Sequence, residues 1–389
     1  MELKEYELGE LLSYEQPSAY IVESTDYSDS YKTPVLTAGK SFILGYTNET
    51  EGIFDKLPVI IFDDFTTATQ YVNFKFKVKS SAMKILNINT ELVLPKYIFY
   101  RMQIFQFDHS THKRYWIQQY SKIKVTIPSL SEQEHIVTRI EELFSELDKA
   151  VETLQTTKQQ LAVYRQAVLK EAFEAGIQGY NAKSDMLSIE ELLTTARKGM
   201  ATGPFGTMIK KHEHQKSGIP MLGIENIGEG KYIDGNKIFV TTEKAEELKS
   251  FALHEGDIII SRSGTVGEIC AVPQRAEGAL LSTNLMRVSL NHDVIRSDYF
   301  IFLFQSKGIV LDQVKELCKG STRIFLNQTI LKQIQFPVPS LNKQMEIVHK
   351  IESRLSVCES IEQTVDTALA QADAMRQSIL KQAFEGGYV

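Results

Sequence analysis

At 389 residues the chain has room for two or three domains, and its 43% apolar content is that of an ordinary soluble globular protein. No apolar run approaches the roughly 18–20 residues that span a bilayer, and Cys270, Cys318 and Cys358 make neither a disulfide framework nor a zinc-ligand spacing. The net charge of −6 speaks at first against nucleic acid, but residues 128–176 carry −4 and residues 339–389 carry −2, so the rest is neutral on average and free to hold a local basic face.

The chain opens on Met1 to Glu10, acidic and polar, which is not the pattern of a secretory signal; a reducing cytoplasm is the expected setting. Residues 1–127 then read as a mixed α/β block of short strands separated by turns rich in Gly, Asp, Asn and Ser. Val59 to Phe62 and Val72 to Val78 are strand-like, and Pro95 to Tyr100 is an aromatic helical stretch. Thr33 to Thr47, with Lys40 and Tyr46, and the segment holding Thr66 and Thr67 are loops of small hydroxyl residues suited to close approach to a groove. Asn73 to Ser80 alternates strictly, which on a strand sets Lys75, Lys77 and Lys79 on one face and Phe74, Phe76 and Val78 in the core. Those lysines with Ser80 fit phosphate contacts; a solvated edge strand using lysine against aggregation fits equally well. His112 to Trp116 sets Lys113 and Arg114 beside two aromatics, either for base reading and stacking or as a polar loop ahead of a buried Trp. Asp63 and Asp64 resemble a metal carboxylate pair, yet no nuclease pattern surrounds them.

Residues 128–176 read as one long helix. Pro128 stops the preceding strand, Ser131 with Glu134 makes a capping box, and Gly176 suits the end. About 40 residues at 1.5 Å each give a rod of roughly 60 Å. Ile136, Ile140, Leu143, Leu147, Ala150, Leu154, Thr157, Leu161, Tyr164 and Val168 follow the alternating four-three steps of a coiled coil.

Residues 177–338 form a second mixed α/β block, opening at Ile189 to Leu193 much as the first opens at Leu8 to Leu12, and holding about 30 more residues. Ile258 to Ile260 and Leu285 to Leu290 are strand-like, and Ser297 to Phe302 repeats the aromatic helical stretch. Gly203 to Gly206 is a tight turn followed by Thr207, Lys210 and Lys211. Arg262 and Ser263 sit at a strand end, and Lys319, Ser321, Thr322 and Arg323 make a glycine-broken basic loop. Each suits a phosphate cradle of backbone N–H groups and a cation. The close histidine pairs His109/His112 and His212/His214 lack the partners of a metal site and read as surface residues.

Residues 339–389 repeat the first helix at an offset of 211, with 20 of 50 positions identical and no gap. The seam positions Ile140, Leu147, Leu154, Leu161 and Val168 become Ile351, Cys358, Val365, Ala372 and Ile379, while Arg354 places a charge on the companion row. Asn342 can cap this helix, but Met345 replaces the acid of the box. The fold expected is α+β: two mixed α/β domains separated by two long helices that wrap together as a coiled coil, with an internal repeat.

The repeated Pro-Ser-Leu-x-x-Gln opening at Pro128 and Pro339, and the Leu-Lys-x-Ala-Phe-Glu ending at Leu169 and Leu380, resemble the conserved regions of type I restriction–modification specificity subunits. Gly203-Pro-Phe-Gly-Thr207, Ile219-Pro220, Gly256 to Gly264 and the Gly320-Ser-Thr loop are similar to one recognition-domain type of that family. Thr33 to Ser41 and Ile61 to Thr67 are similar to another. The resemblance implies two target-recognition domains, separated by long helices that form an antiparallel coiled coil with a pseudo-twofold repeat, in a non-catalytic subunit where each domain reads half of a split double-stranded DNA target. It implies two DNA-adenine methyltransferase partners that carry S-adenosylmethionine, with restriction and translocase subunits as further partners; no cofactor is expected in this chain. The rival readings are a protein-only coiled-coil scaffold and a nuclease using Asp63 and Asp64.

Overall fold

The computed structural model describes residues 4–39, 41–105, 114–177, 186–205, 208–318 and 324–385. The chain divides into two units, Met1–Gln155 with Asp366–Val389, and Thr156–Val365. Each unit therefore holds one α/β block and part of both long helices. Four helices matter below: α1 (Pro95–Met102), α2 (Leu130–Ile177), α3 (Ser297–Gln305) and α4 (Leu341–Phe384).

In the first unit the two ends of the block meet, strand Lys4–Glu7 pairing antiparallel with Lys124–Ile127. A four-stranded antiparallel sheet has the order Leu12–Glu15, Met83–Ile88, Val59–Asp63, Thr69–Val72. A three-stranded sheet sets Thr33–Leu36 between Ile43–Thr47 and Lys77–Val78. The run Val59 to Phe62 is apolar throughout because both of its faces are covered. Helix α1 opens with proline, whose missing N–H costs nothing at that position, and buries Tyr97, Ile98 and Met102.

The second unit repeats this plan on an unrelated sequence. Met186–Ser188 pairs with Gln335–Pro337. The four-stranded sheet runs Met200–Thr202, Leu285–Val288, Ile258–Ser261, Ile269–Ala271, and the three-stranded sheet Ile238–Val240, Ile219–Leu222, Leu280–Leu281. The second block adds a hairpin, Ile227–Gly228 with Lys231–Tyr232, that the described part of the first block lacks.

Within each unit the long helices run antiparallel. In the first, Ile140, Phe144 and Leu147 of α2 cluster with Ala372, Ile379, Leu380 and Ala383 of α4. In the second, Leu161 and Val168 are buried, as are Ile351, Cys358 and Val365, while Glu171 holds Arg354 at 2.6 Å and Arg165 holds Glu362 at 2.7 Å. Leu154 is half-buried. The companion row behaves differently from a sealed two-row seam: Tyr164, Ile361 and Met375 are 43%, 41% and 54% exposed. Ala150, Thr157 and Arg354 in that row are too small or too polar to close it, while Ile136 and Leu143 pack on the first unit's cluster and Ile347 is buried against Gly176.

Several local expectations change. Thr33 to Thr47, expected as a loop, is largely paired strand, Thr33–Leu36 lying antiparallel to Ile43–Thr47. Ser129 rather than Ser131 caps α2: its Oγ donates to Glu132 at 2.8 Å and its N–H to the same carboxylate at 3.1 Å. Gly176 stands one residue before Ile177, the last described residue of α2, and is closely packed there: a Cβ would fall 2.4 Å from Ile347 Cδ1. The alternating stretch from Val72 to Ser80 is not one strand. It breaks after Val72 and resumes only at Lys77–Val78.

Candidate nucleic-acid interface

Each block is fastened to the long helices by the same pair of residues. Gln133, fully buried at the start of α2, accepts the Leu94 N–H at 2.7 Å and donates to Leu92 O at 3.1 Å and Pro128 O at 2.9 Å. Gln344 at the start of α4 does the same in the second unit, accepting Arg296 N–H at 2.9 Å and donating to Val294 O at 2.9 Å and Pro339 O at 2.8 Å. Leu94 and Arg296 are the residues just before α1 and α3, whose first N–H groups lack helical partners. The opposite ends complete the grip. Phe384 of α4 meets Tyr97 of α1 edge-on at 5.3 Å, and Phe173 of α2 meets Tyr299 of α3 at 5.5 Å. The glutamine and phenylalanine were visible in the repeat, but their role as clamps was not, because their partners belong to blocks that share little sequence.

In the first unit, Asp64 gathers three loops. Its carboxylate accepts Trp116 N–H at 2.8 Å and lies 3.7 Å from Lys84, with both side chains nearly inaccessible. Its backbone donates to Ala82 O at 3.3 Å and accepts Tyr115 N–H at 3.0 Å. Asp63 folds the next turn, accepting the N–H groups of Phe65 and Thr66 at 2.9 Å each, and Thr67 takes a left-handed φ of 57°. The two aspartates are thus committed to the fold, and no cluster of metal-ligating side chains occurs among the described residues. Thr66, Thr67, Ser80 and Arg114 lie on the gathered loops. Phe65, 44% exposed, stands on the Asp63 turn. Tyr115 and Trp116 are buried in the core with Phe62 and Tyr120, so neither ring is free to stack on a base.

In the second unit four loops are tied together. Thr283 Oγ1 donates to Pro204 O at 2.8 Å, Arg262 donates to Leu326 O at 3.2 Å and Thr283 O at 3.1 Å, and Gln328 donates to Thr202 Oγ1 at 2.9 Å. Gly203 is required here: a Cβ would lie 1.8 Å from Ser282 O. Phe205 projects from this frame, 70% exposed, with Ile324 and Phe325 on the neighbouring loop also exposed.

The remaining candidates divide by what they touch. Lys79, Ser80, Arg114, Lys210, Lys211 and Ser263 are exposed, as is Lys75, 3.7 Å from Asp55. Tyr46 is half-buried beside Ser28. Lys77 departs from the expected lysine face. It is 4% exposed, holds Glu49 at 2.7 Å and donates to Glu51 O at 2.7 Å, because the strand break turns it inward. That ammonium draws the Glu49 carboxyl below its ordinary range, helped by the Ser24 N–H. Arg262 likewise spends its guanidinium on loop carbonyls, and burial lowers its pKa. Lys40, Lys113, Thr207, Lys319, Ser321, Thr322 and Arg323, with His109 and His112, lie outside the described residues.

A fold made of two differently sequenced, loop-ended domains on a duplicated helical frame defines a specificity-subunit architecture. The profile of the type I restriction modification DNA specificity domain matches residues 1–161 and 203–371, and the chain belongs to that family. It is 32% identical over 368 residues to the type I restriction enzyme EcoR124I/EcoR124II specificity subunit of Escherichia coli, covering 91% of this chain and 87% of that one. It is 22% identical over 364 residues to the MjaVIII specificity subunit of Methanocaldococcus jannaschii, covering 89% and 84%. A solved chain from work on complex assembly and conformational transition of the type I R-M system shares the fold, with a TM-score of 0.70 at 15% identity, covering 98% of this chain and 97% of that one. No helix among the described residues is long and apolar enough to cross a membrane.

Proposed function

We propose that each block reads one half of a split double-stranded DNA target, and that the long helices act both as spacer and as scaffold for two DNA-adenine methyltransferase subunits. The observation that carries this reading is the double clamp: two domains with unlike loops sit on one repeated frame through Gln133 and Phe384 in one unit and Gln344 and Phe173 in the other. The frame is constant where a shared partner must dock, and the loops vary where sequence is read.

Thr66, Thr67 and Ser263 offer hydroxyls to base edges, and Phe65 and Phe205 offer apolar contact to thymine methyls or base steps. Lys75, Lys79, Lys210 and Lys211 hold phosphates. S-adenosylmethionine belongs to the methyltransferase partners, restriction and translocase subunits join the same assembly, and the cytoplasm is where it works. The flank of exposed Tyr164 and Ile361 supports a docking role over a sealed, partnerless coil. Mapping methylated adenines in cells with and without this chain tests the reading. A bipartite methylated motif should vanish with the chain, and an unchanged methylation map would overturn it.

A further inference from the structure

A cavity of about 590 Å³ opens in the first unit where α1 meets the long helices, lined by Tyr100, Gln103, Glu141, Phe144, Ser145 and Arg376. A cavity of equal volume, about 590 Å³, opens in the second unit where α3 meets them, lined by Phe302, Gln305, Glu352, Leu355, Ser356 and Arg165. These are the same six places. The helix offset of 211 carries Glu141, Phe144 and Ser145 onto Glu352, Leu355 and Ser356, and Arg165 onto Arg376. The offset of 202 between α1 and α3 carries Tyr100 and Gln103 onto Phe302 and Gln305. Each cavity thus joins an aromatic wall, an apolar floor, a carboxylate, an amide and an arginine. Blocks that diverge elsewhere keep this chemistry, which is what an occupant present in two identical copies requires.

The cavities differ in how their charged groups are paired: Arg165 also holds Glu362 at 2.7 Å, where the first unit has Val151 at the matching position. In the first unit Arg376 lies over the Phe144 ring at 4.4 Å and pairs with Asp148. In the second, the extra hairpin reaches the equivalent groups. Glu229 lies 3.7 Å from Arg165, and Lys231 holds Glu359, the counterpart of Asp148, at 2.6 Å. Gly230 sits against Gln305, where a Cβ would fall 2.3 Å from its amide nitrogen. Glu229 itself takes a left-handed φ of 51°, a strained conformation for a non-glycine residue.

We propose that the two cavities are paired seats for two copies of the methyltransferase subunit, each taking an apolar anchor flanked by hydrogen-bonding groups, and that the hairpin makes the seats unequal. The first-unit seat fills first; the second fills as the hairpin withdraws Glu229 from Arg165, which keeps Glu362, and Lys231 releases Glu359. This rests on the reading that methyltransferase subunits dock on the helical frame. Exposed ion pairs are individually weak, so the gap they create is about tenfold in affinity, beyond the statistical difference between identical sites.

The test titrates the cognate methyltransferase subunit into the full chain and counts one-to-one and two-to-one complexes by native mass spectrometry. Ser145→Trp, which fills the first seat from an exposed position, should remove the tight event, and Ser356→Trp the weak one. Glu229→Ala with Lys231→Ala should bring the two constants together while leaving the first unchanged. Two wild-type binding events in both tryptophan variants, loss of the weak event in S145W, or a gap that survives the hairpin double variant would each overturn the proposal. A wild-type chain that binds DNA but no methyltransferase subunit would remove the scaffold reading itself, and the proposal with it.

Discussion

Residues of one type do opposite work here, and burial separates them. Lys77 and Lys84 are interior cations, each matched to a carboxylate. Removing one partner of such a pair strands the other in a low-dielectric site at a cost of about 3–5 kcal/mol. Asp64→Ala should therefore cost about that much in urea unfolding and release the loops bearing Thr66 and Arg114, whereas an unchanged midpoint would deny Asp64 its gathering role. Lys77→Met should likewise destabilise the first unit without changing how DNA affinity depends on salt. Lys75→Ala with Lys79→Ala should do the reverse, reducing the slope of log affinity against log salt by roughly one for each phosphate that is no longer neutralised. The Glu49 carboxyl has a lowered folded pKa, so its contribution is present at neutral pH and is lost as pH falls through that lowered value. The stability gap between the wild-type and Lys77→Met proteins, read by circular dichroism in urea at a series of pH values, should therefore narrow as pH falls through that value. Strict alternation in the sequence suggested a lysine face. The chain breaks at Asn73 to Phe76 instead, a choice set by the Phe54–Phe76 pairing, which no local pattern announces.

Elements were legible where their period was long. The two long helices and their repeat could be read directly, since a gapless offset of 211 and heptad spacing leave few alternatives. The core runs at Val59 and Ile258 were also readable, as continuous β-branched stretches. The common strand order of the two blocks was not, because the order of strands in a sheet depends on pairings between distant segments that unlike sequences satisfy differently. The clamps were half-legible: Gln133 and Gln344 stand at matching positions, yet their role appears only when α1 and α3 are placed above them. Gln133→Ala would leave Leu94 N–H and the carbonyls of Leu92 and Pro128 without this partner, at about 1–3 kcal/mol for each group left unpaired. Hydrogen exchange should then speed up in α1 while α3 keeps its protection. Equal acceleration in both helices, or in neither, would contradict a clamp that acts within its own unit.

At the scale of the whole molecule, the spacer reading makes a demand on DNA geometry. Removing seven residues from each long helix at facing positions keeps the buried row in phase, since a heptad is close to two turns, and shortens the pair by about 10 Å. At about 3.4 Å per base pair that is roughly three base pairs of spacer. Three base pairs also turn the second half-site by roughly 100° around a duplex of about 10 base pairs per turn, and the trimmed helices supply little of that rotation. The DNA must twist to make it up, so binding weakens even at the best spacing. The expected outcome is a methylated motif with both half-sites unchanged, a spacer shorter by about three base pairs, and reduced affinity, read by sequencing methylated adenines and by titration against a series of spacers. Changed half-sites would mean that the helices take part in base reading. An unchanged spacer would mean that something other than the length of α2 and α4 sets the distance.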